Sequence, residues 1–308
     1  MAITVGLAGI TGKFGTLLAT HLLKNPNVSL RGYARDTSKV RPSIVSSPAV
    51  QLYQGDAYNE TQIKSFVDGC DVVICAYLGD DKLMIEGQKL LIDACEGAGV
   101  PRYIAGDWCL DYTKLQLGEL FPKDPMKHVK AYLETKKTVK GVHILVGGFV
   151  DVVLRPLFLW DGKTQTIRYW GDGSEVWEFT SYENAAEYTA AVAADQEAVG
   201  VVRLLGDRKT IKEIASSFEK VYGISPKLEC LGSQEQLKNR METLRTQDPQ
   251  DVFKYIFWYF TYYTINGSAL VGPEVDNARY PQIKPETLEG YLRKRPVEQL
   301  GSAFASLS

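Results

Sequence analysis

No excess of basic charge is present: 35 Lys and Arg stand against 37 Asp and Glu, for a formal charge of −2. A phosphodiester backbone needs clustered cations on one face, so nucleic acid is not an expected partner. Histidine is scarce. His21, His128 and His143 fall in separate segments, with no H-E-x-x-H and no clustered Cys/His spacing, and no metal site is expected. No G-x-S-x-G occurs either, since Asp172-Gly173-Ser174 lacks the closing glycine, which removes the nucleophile elbow of hydrolases. The five cysteines are odd in number, scattered and without a C-x-x-C pair. Cys70, Cys75 and Cys95 lie in apolar segments, a usage that suits a reducing compartment. Met1 is followed by no basic n-region with a long apolar run, and no stretch reads as a bilayer span. A cytoplasmic protein away from membranes is the expectation. Repeats and low-complexity tracts are also missing, which argues against an array fold.

What is present is an ordinary globular composition, 45% hydrophobic and 23% charged over 308 residues, enough for two domains or one elaborated core. Short apolar runs at 4–8, 29–34, 50–53, 71–76, 102–105 and 143–146 read as strands. Amphipathic patterns alternate with them: Phe14, Leu17, Leu18 and Leu22; Ile63, Phe66 and Val67; Leu83, Leu90, Leu91 and Cys95; Val129, Leu133 and Lys136. Strands spaced by helices predict parallel βαβ units and an α/β doubly wound (Rossmann) sheet over residues 1–150. Beyond 150 the rhythm changes. Aromatics crowd in, prolines punctuate the end, and residues 151–308 read as a smaller mixed α/β substrate-binding part, with a segment near 175–206 returning to the first domain. The run Phe253 to Tyr263 carries aromatics all round a helix, which suits core packing or a contact in a homodimer.

Gly9-Ile-Thr-Gly-Lys-Phe-Gly15 stands between the first strand and the first helix. Gly9 suits the sharp turn off the strand, Gly12 lets the backbone approach a pyrophosphate, and Gly15 lets the helix pack close to the sheet. No G-K-S/T follows, so a dinucleotide is a better fit than a nucleoside triphosphate. About twenty residues on, where the ribose is gripped, the chain reads Tyr33-Ala34-Arg35-Asp36-Thr37-Ser38-Lys39. Arg35 and Lys39 suit the 2′-phosphate of NADP(H), whereas Asp36 would suit NAD.

These features, with Gly55-Asp56 after the third strand and Val129-Lys130-Ala131 on the helix before the sixth, resemble the NmrA-like, isoflavone reductase-like branch of the atypical short-chain dehydrogenases/reductases. So does the pair Trp170-Gly171-Asp172-Gly173 and Phe179-Thr180-Ser181-Tyr182-Glu183-Asn184. The resemblance implies an NADPH-dependent oxidoreductase with Gly9, Thr11, Gly12, Lys13, Phe14, Gly15, Arg35, Lys39, Asp56, Ala76, Tyr77, Lys130 and Phe149 at the cofactor. It also implies a lysine near the nicotinamide, and counting back eleven residues from Gly141 lands on Lys130. Tyr132 and Lys136 match the Tyr-x-x-x-Lys pair of the wider superfamily, but no serine occurs between Ser65 and Ser174 to join them. Where the family's reductases carry Pro-Ser-Glu-Phe-Gly, this chain has Ala105-Gly106-Asp107-Trp108-Cys109. Asp107, at a strand's carboxyl end, is read as a general acid or as the counter-ion of a cationic substrate. Trp108, Phe149 and Trp160 follow strand ends and are expected to wall the substrate pocket. The expected function is reduction of a C=N or C=C bond in a bulky, aromatic or heterocyclic secondary metabolite such as an alkaloid precursor. Two alternatives are an NADPH-bound imine cyclase or isomerase, and an NADP(H)-sensing regulator.

Overall fold

The structure is a computed structural model and describes residues 2–301. Apolar runs in the first half become strands of a parallel sheet buried on both faces: β1 (Ile3–Ala8), β2 (Val28–Ala34), β3 (Val50–Gln54), β4 (Val72–Cys75), β5 (Arg102–Ile104) and β6 (Lys140–Leu145). In β4 every residue is buried, Val72 and Ile74 into one core and Val73 and Cys75 into the other. The connecting helices are α1 (Lys13–Leu22), α2 (Pro42–Val45), α3 (Glu60–Val67), α4 (Gln88–Gly97) and α5 (Asp124–Glu134). Helices α3, α4 and α5 cover one face with Phe66, Leu91 and Val129. Helix α1 covers the other with Leu18, Ala19 and Leu22. This is the doubly wound arrangement that the alternating pattern predicts.

After β6 the chain forms β7 (Gly148–Phe149), α6 (Val150–Val153), β8 (Trp160–Asp161), β9 (Thr166–Tyr169) and β10 (Val176–Thr180). It then returns. Helix α7 (Tyr182–Ala194) packs against α1, and β11 (Gly200–Arg203) pairs parallel with β6. The large sheet therefore has seven strands, in the order β11-β6-β5-β4-β1-β2-β3. Arg102, buried at the head of β5, fixes the return by donating to the carbonyls of Val192 (3.1 Å), Ala193 (2.7 Å) and Asp195 (2.7 Å) where α7 ends. Terminal helix carbonyls have no partner inside the helix and carry the negative end of its dipole, so a guanidinium suits the position.

The remaining elements are β12 (Asp207–Thr210), α8 (Ile211–Tyr222), β13 (Lys227–Cys230), α9 (Gln234–Gln247), α10 (Ile256–Ile265) and α11 (Leu288–Arg293). They complete two small sheets, β12-β10-β7 and β13-β9-β8, over a separate core that includes Trp160, Ile167, Phe218 and Leu292. Strand order in the large sheet reverses between β1 and β4, because β2 and β3 extend to one side and β5 and β6 to the other. Connections leave that point in opposite directions, and a crevice opens at the carboxyl ends of β1 and β4. Among the described residues no helix is long and apolar enough to cross a membrane, and no three His, Cys, Asp or Glu are placed to hold a metal ion.

Candidate active site

The glycine loop lines that crevice. Gly9 turns off β1 at φ 84°, and a Cβ there would meet the Ala76 carbonyl oxygen at 2.6 Å. A Cβ on Gly15 would lie 2.2 Å from the Gly9 carbonyl oxygen. Gly12 is the N-cap of α1 and supplies no side-chain cap, so the helix's positive end opens onto the loop. Gly9 and Gly15 thus let loop, strand end and helix pack backbone to backbone, which holds the helix's open N-terminus at the crevice, the arrangement a pyrophosphate needs. The cavity beside it holds about 490 Å³ and is lined by Gly9, Thr11, Gly12, Arg35, Asp56, Ala76 and Tyr77. At its ribose end Arg35 faces the cavity, while the Asp36 carboxylate accepts from the Ser38 amide (3.1 Å) and hydroxyl (2.6 Å) within its own turn. Those bonds hold Asp36 below the usual carboxylate range. Lys39 is absent from the cavity wall and pairs with Asp36 at 3.6 Å.

A second cavity, of about 350 Å³, shares Ala76, Tyr77 and Leu78 with the first. Its walls are aromatic: Phe14, Trp108, Phe149, Phe158, Trp177, Tyr182, Phe257 and Phe260. Phe14 meets Trp108 at 4.5 Å between ring centroids, and Phe149 stacks on Tyr182 at 4.1 Å. The Lys13 ammonium lies 4.8 Å from the Tyr182 ring centre, and burial draws its pKa down. Helix α10 presents Phe257, Phe260, Thr261 and Thr264, which share one face at the spacing i, i+3, i+4, i+7. Both threonine hydroxyls donate back into the helix, to Phe257 (2.9 Å) and Phe260 (2.8 Å) carbonyls, so that face is apolar despite its threonines.

Few polar groups break this wall. Asp107 is buried; its Oδ2 accepts from the Tyr112 hydroxyl (3.1 Å) and contacts His143 Nδ1 (2.7 Å). Its Oδ1 is buried with no hydrogen-bond partner, and so is the Tyr77 hydroxyl, whose pKa burial pushes far up. Glu178 is satisfied by the amides of Val271 and Gly272 (2.5 and 3.0 Å) and by Arg208 Nε (3.2 Å). Lys123 sits 5.3 Å from the Phe260 ring centre. Cys109 is no nucleophile, because burial pushes its thiol up to about 12. Trp108 holds φ 33°, a left-handed conformation that a bulky residue adopts only under tertiary constraint. Its indole N–H, donating to Thr189 Oγ1 at 2.8 Å, helps to pin it there.

Comparison with known proteins identifies the family. Residues 9–197 match the family model described as NAD(P)H-binding. The chain belongs to that NAD(P)H-binding family. It is 25% identical to the isoflavone reductase of Glycine max over 265 residues, covering 80% of this chain and 78% of the soybean one. An isoflavone reductase crystal structure superposes with a TM-score of 0.76 at 22% identity, over 96% of this chain and 99% of that one. The leucoanthocyanidin reductase–NADPH complex from Vitis vinifera does so with a TM-score of 0.76 at 17% identity, over 98% and 99%. The resemblance to isoflavone reductase-like proteins is thereby borne out, and the fold is theirs.

Lys130 and Trp160, besides Lys39, are expected site residues of this NAD(P)H-binding chain that line neither cavity. The partly covered ammonium of Lys130 pairs with Glu134 one turn farther along α5. Helix α5 starts at the cavity, where Met126 and the preceding Lys123 reach the wall. Lys130 follows Met126 by four residues, so it shares that helix face but sits about 6 Å farther down the axis. Trp160 is also out of reach: it is packed against Phe218 at 4.4 Å inside the second core. Lys130→Ala is accordingly expected to change catalytic efficiency and stability by no more than about 0.5 kcal/mol, since what it removes is an i,i+4 ion pair beyond the cavity wall. Steady-state kinetics and a thermal melt check this. Sequence reasoning missed Tyr112, in the same loop as Asp107, and His143, which reaches it from β6; no local motif marks either. It also passed over Tyr182, Phe257 and Phe260 as pocket residues, although the α10 spacing is legible in the sequence.

Proposed function

We propose that the chain is an NADPH-dependent reductase acting on a C=C or C=N bond of a bulky, largely apolar compound with aromatic or heterocyclic rings. The continuity of the two cavities through Ala76, Tyr77 and Leu78 carries this reading. Gly9, Thr11 and Gly12 would hold the pyrophosphate, and Arg35 the 2′-phosphate, since Asp36 is committed to its own turn. The bound dinucleotide supplies hydride. The chain's own residues do the rest: the aromatic walls exclude water and orient a planar ligand, and the buried polar atoms of Asp107 and Tyr77 hold or pass a proton. The relatives named as reductases support the same reading.

The test is loss of reduced-nicotinamide absorbance when purified protein meets a panel of polycyclic enones and cyclic imines, with NADH in parallel. One equivalent of NADPH oxidised per reduced product is expected. If no member of the panel is consumed, the reading falls. The absence of Lys130 and of a serine from the cavity favours one second reading, a cyclase or isomerase that keeps NADPH as scaffold; product formed without NADPH oxidation would identify it. For a regulator that only senses NADP(H), a large apolar cavity has no use.

A further inference from the structure

We infer that Asp107 anchors a positively charged nitrogen, so that the compound taken into the aromatic cavity is a cyclic iminium or a protonated amine. This deepens the reductase reading and rests on it for the ligand's place beside the cofactor.

The inference starts from how the carboxylate is held. The Tyr112 hydroxyl and His143 Nδ1 converge on the same oxygen, Oδ2, at 3.1 and 2.7 Å, and lie 3.3 Å from each other. Both serve Oδ2 as donors when the imidazole carries its proton on Nδ1, the tautomer this contact selects. Two donors on one oxygen fix the rotamer of Asp107 and leave Oδ1, an acceptor, buried without a partner. Such an atom costs free energy unless something supplies a donor or a cation. Among the described residues the ion-pair partner of this carboxylate is His143, which sits on Oδ2 and is a cation only when protonated, and no donor reaches Oδ1. Lys123, the cation in the cavity wall, makes no ion pair with Asp107 and stands over Phe260 instead.

What would fill the gap is a cationic N–H or an iminium nitrogen, whose attraction to a carboxylate strengthens in a dry, apolar surrounding. The aromatic walls suit the same charge, because ring faces attract cations. Chemistry agrees with geometry. When hydride adds to an iminium carbon, the C=N π pair moves to nitrogen, the nitrogen becomes neutral, and the nicotinamide is oxidised. No proton donor is required, which matches a cavity with neither Lys130 nor serine.

The test is binding to the NADP⁺-loaded full chain, where no turnover occurs, read by quenching of tryptophan fluorescence with Trp108 and Trp177 in the cavity wall. The probes are N-methyl-3,4-dihydroisoquinolinium and its neutral carbocyclic counterpart, 1,2-dihydronaphthalene. Wild-type protein is expected to bind the cation at least about tenfold tighter, and Asp107→Asn to lose about 10–100-fold in cation affinity while the neutral probe stays within about twofold. The wild-type ratio needs no variant, so the inference stays testable if Asp107→Asn does not fold. Equal wild-type binding of the two probes, or a variant that weakens both alike, overturns it. Equal binding together with NADPH oxidation by neutral enones would sink this inference and leave the reductase reading standing. Preference for the cation with no NADPH oxidation would do the reverse.

Discussion

Replacing Gly15 by alanine is expected to weaken NADPH binding roughly 10–100-fold while the sheet stays folded. The new Cβ would fall 2.2 Å from the Gly9 carbonyl oxygen, 3.0 Å from its carbon and 3.1 Å from Ile10 Cα. All three are backbone atoms, so no side chain can swing away. Nor can the loop retreat, because Gly9 itself abuts the Ala76 carbonyl at the end of β4. Helix and loop must part. Overpacking of this kind costs about 1–3 kcal/mol, and each 1.4 kcal/mol that appears in the cradle's geometry is about tenfold in affinity. Isothermal titration with NADPH measures the loss, and far-UV circular dichroism shows whether the fold persists. Gly97→Ala is the control: it lies in α4 with nothing within 4 Å of its Cβ, and its NADPH affinity is expected to match the wild type. Wild-type affinity in Gly15→Ala would mean that the loop is not the cradle.

The parts of the molecule legible in the sequence are those encoded by local period. A strand buried on both faces must be apolar throughout, as β4 is, and a glycine wedged between backbones leaves its mark in the Gly9, Gly12, Gly15 spacing. Site residues obey no such rule. Lys130 was placed by counting from the next strand, but which turn of α5 reaches the cavity depends on where the helix begins, and it begins at Asp124. Trp160 opens β8 after α6 rather than following a strand end, and the pairing of β8 with β9 turns it into the second core. Asp107 was singled out by a departure from a pattern, whereas Tyr112 and His143 become its partners only through tertiary packing of the loop after β5 against β6. An aromatic helix such as α10 has no single apolar stripe by composition. Its cavity face emerges only once the back-bonded threonines are counted as apolar.

Arg35→Ala is expected to lower the preference for NADPH over NADH by about 10–100-fold, through loss of NADPH affinity with NADH affinity nearly unchanged. Arg35 ends β2's run into the cleft and lines its ribose end, where its planar guanidinium can take two phosphate oxygens at once. Charge-assisted contacts of that type contribute about 1.5–3 kcal/mol, and a 2′-hydroxyl offers no charge to replace them. Asp36 stays occupied by Ser38 and Lys39 in the variant, so no new grip on the NADH ribose arises. Lys39→Ala separates the two cations of the sequence motif. Its ammonium is outside the cavity wall and beside Asp36, so its removal is expected to change the preference by less than about threefold, within the range of exposed ion pairs. Fluorescence titrations with both nucleotides at two salt concentrations read both effects, since a phosphate contact weakens with ionic strength. If Lys39→Ala moved the preference as far as Arg35→Ala, the lysine would have to leave Asp36 on binding and close over the phosphate. If neither moved it, the 2′-phosphate would not be recognised by this loop at all.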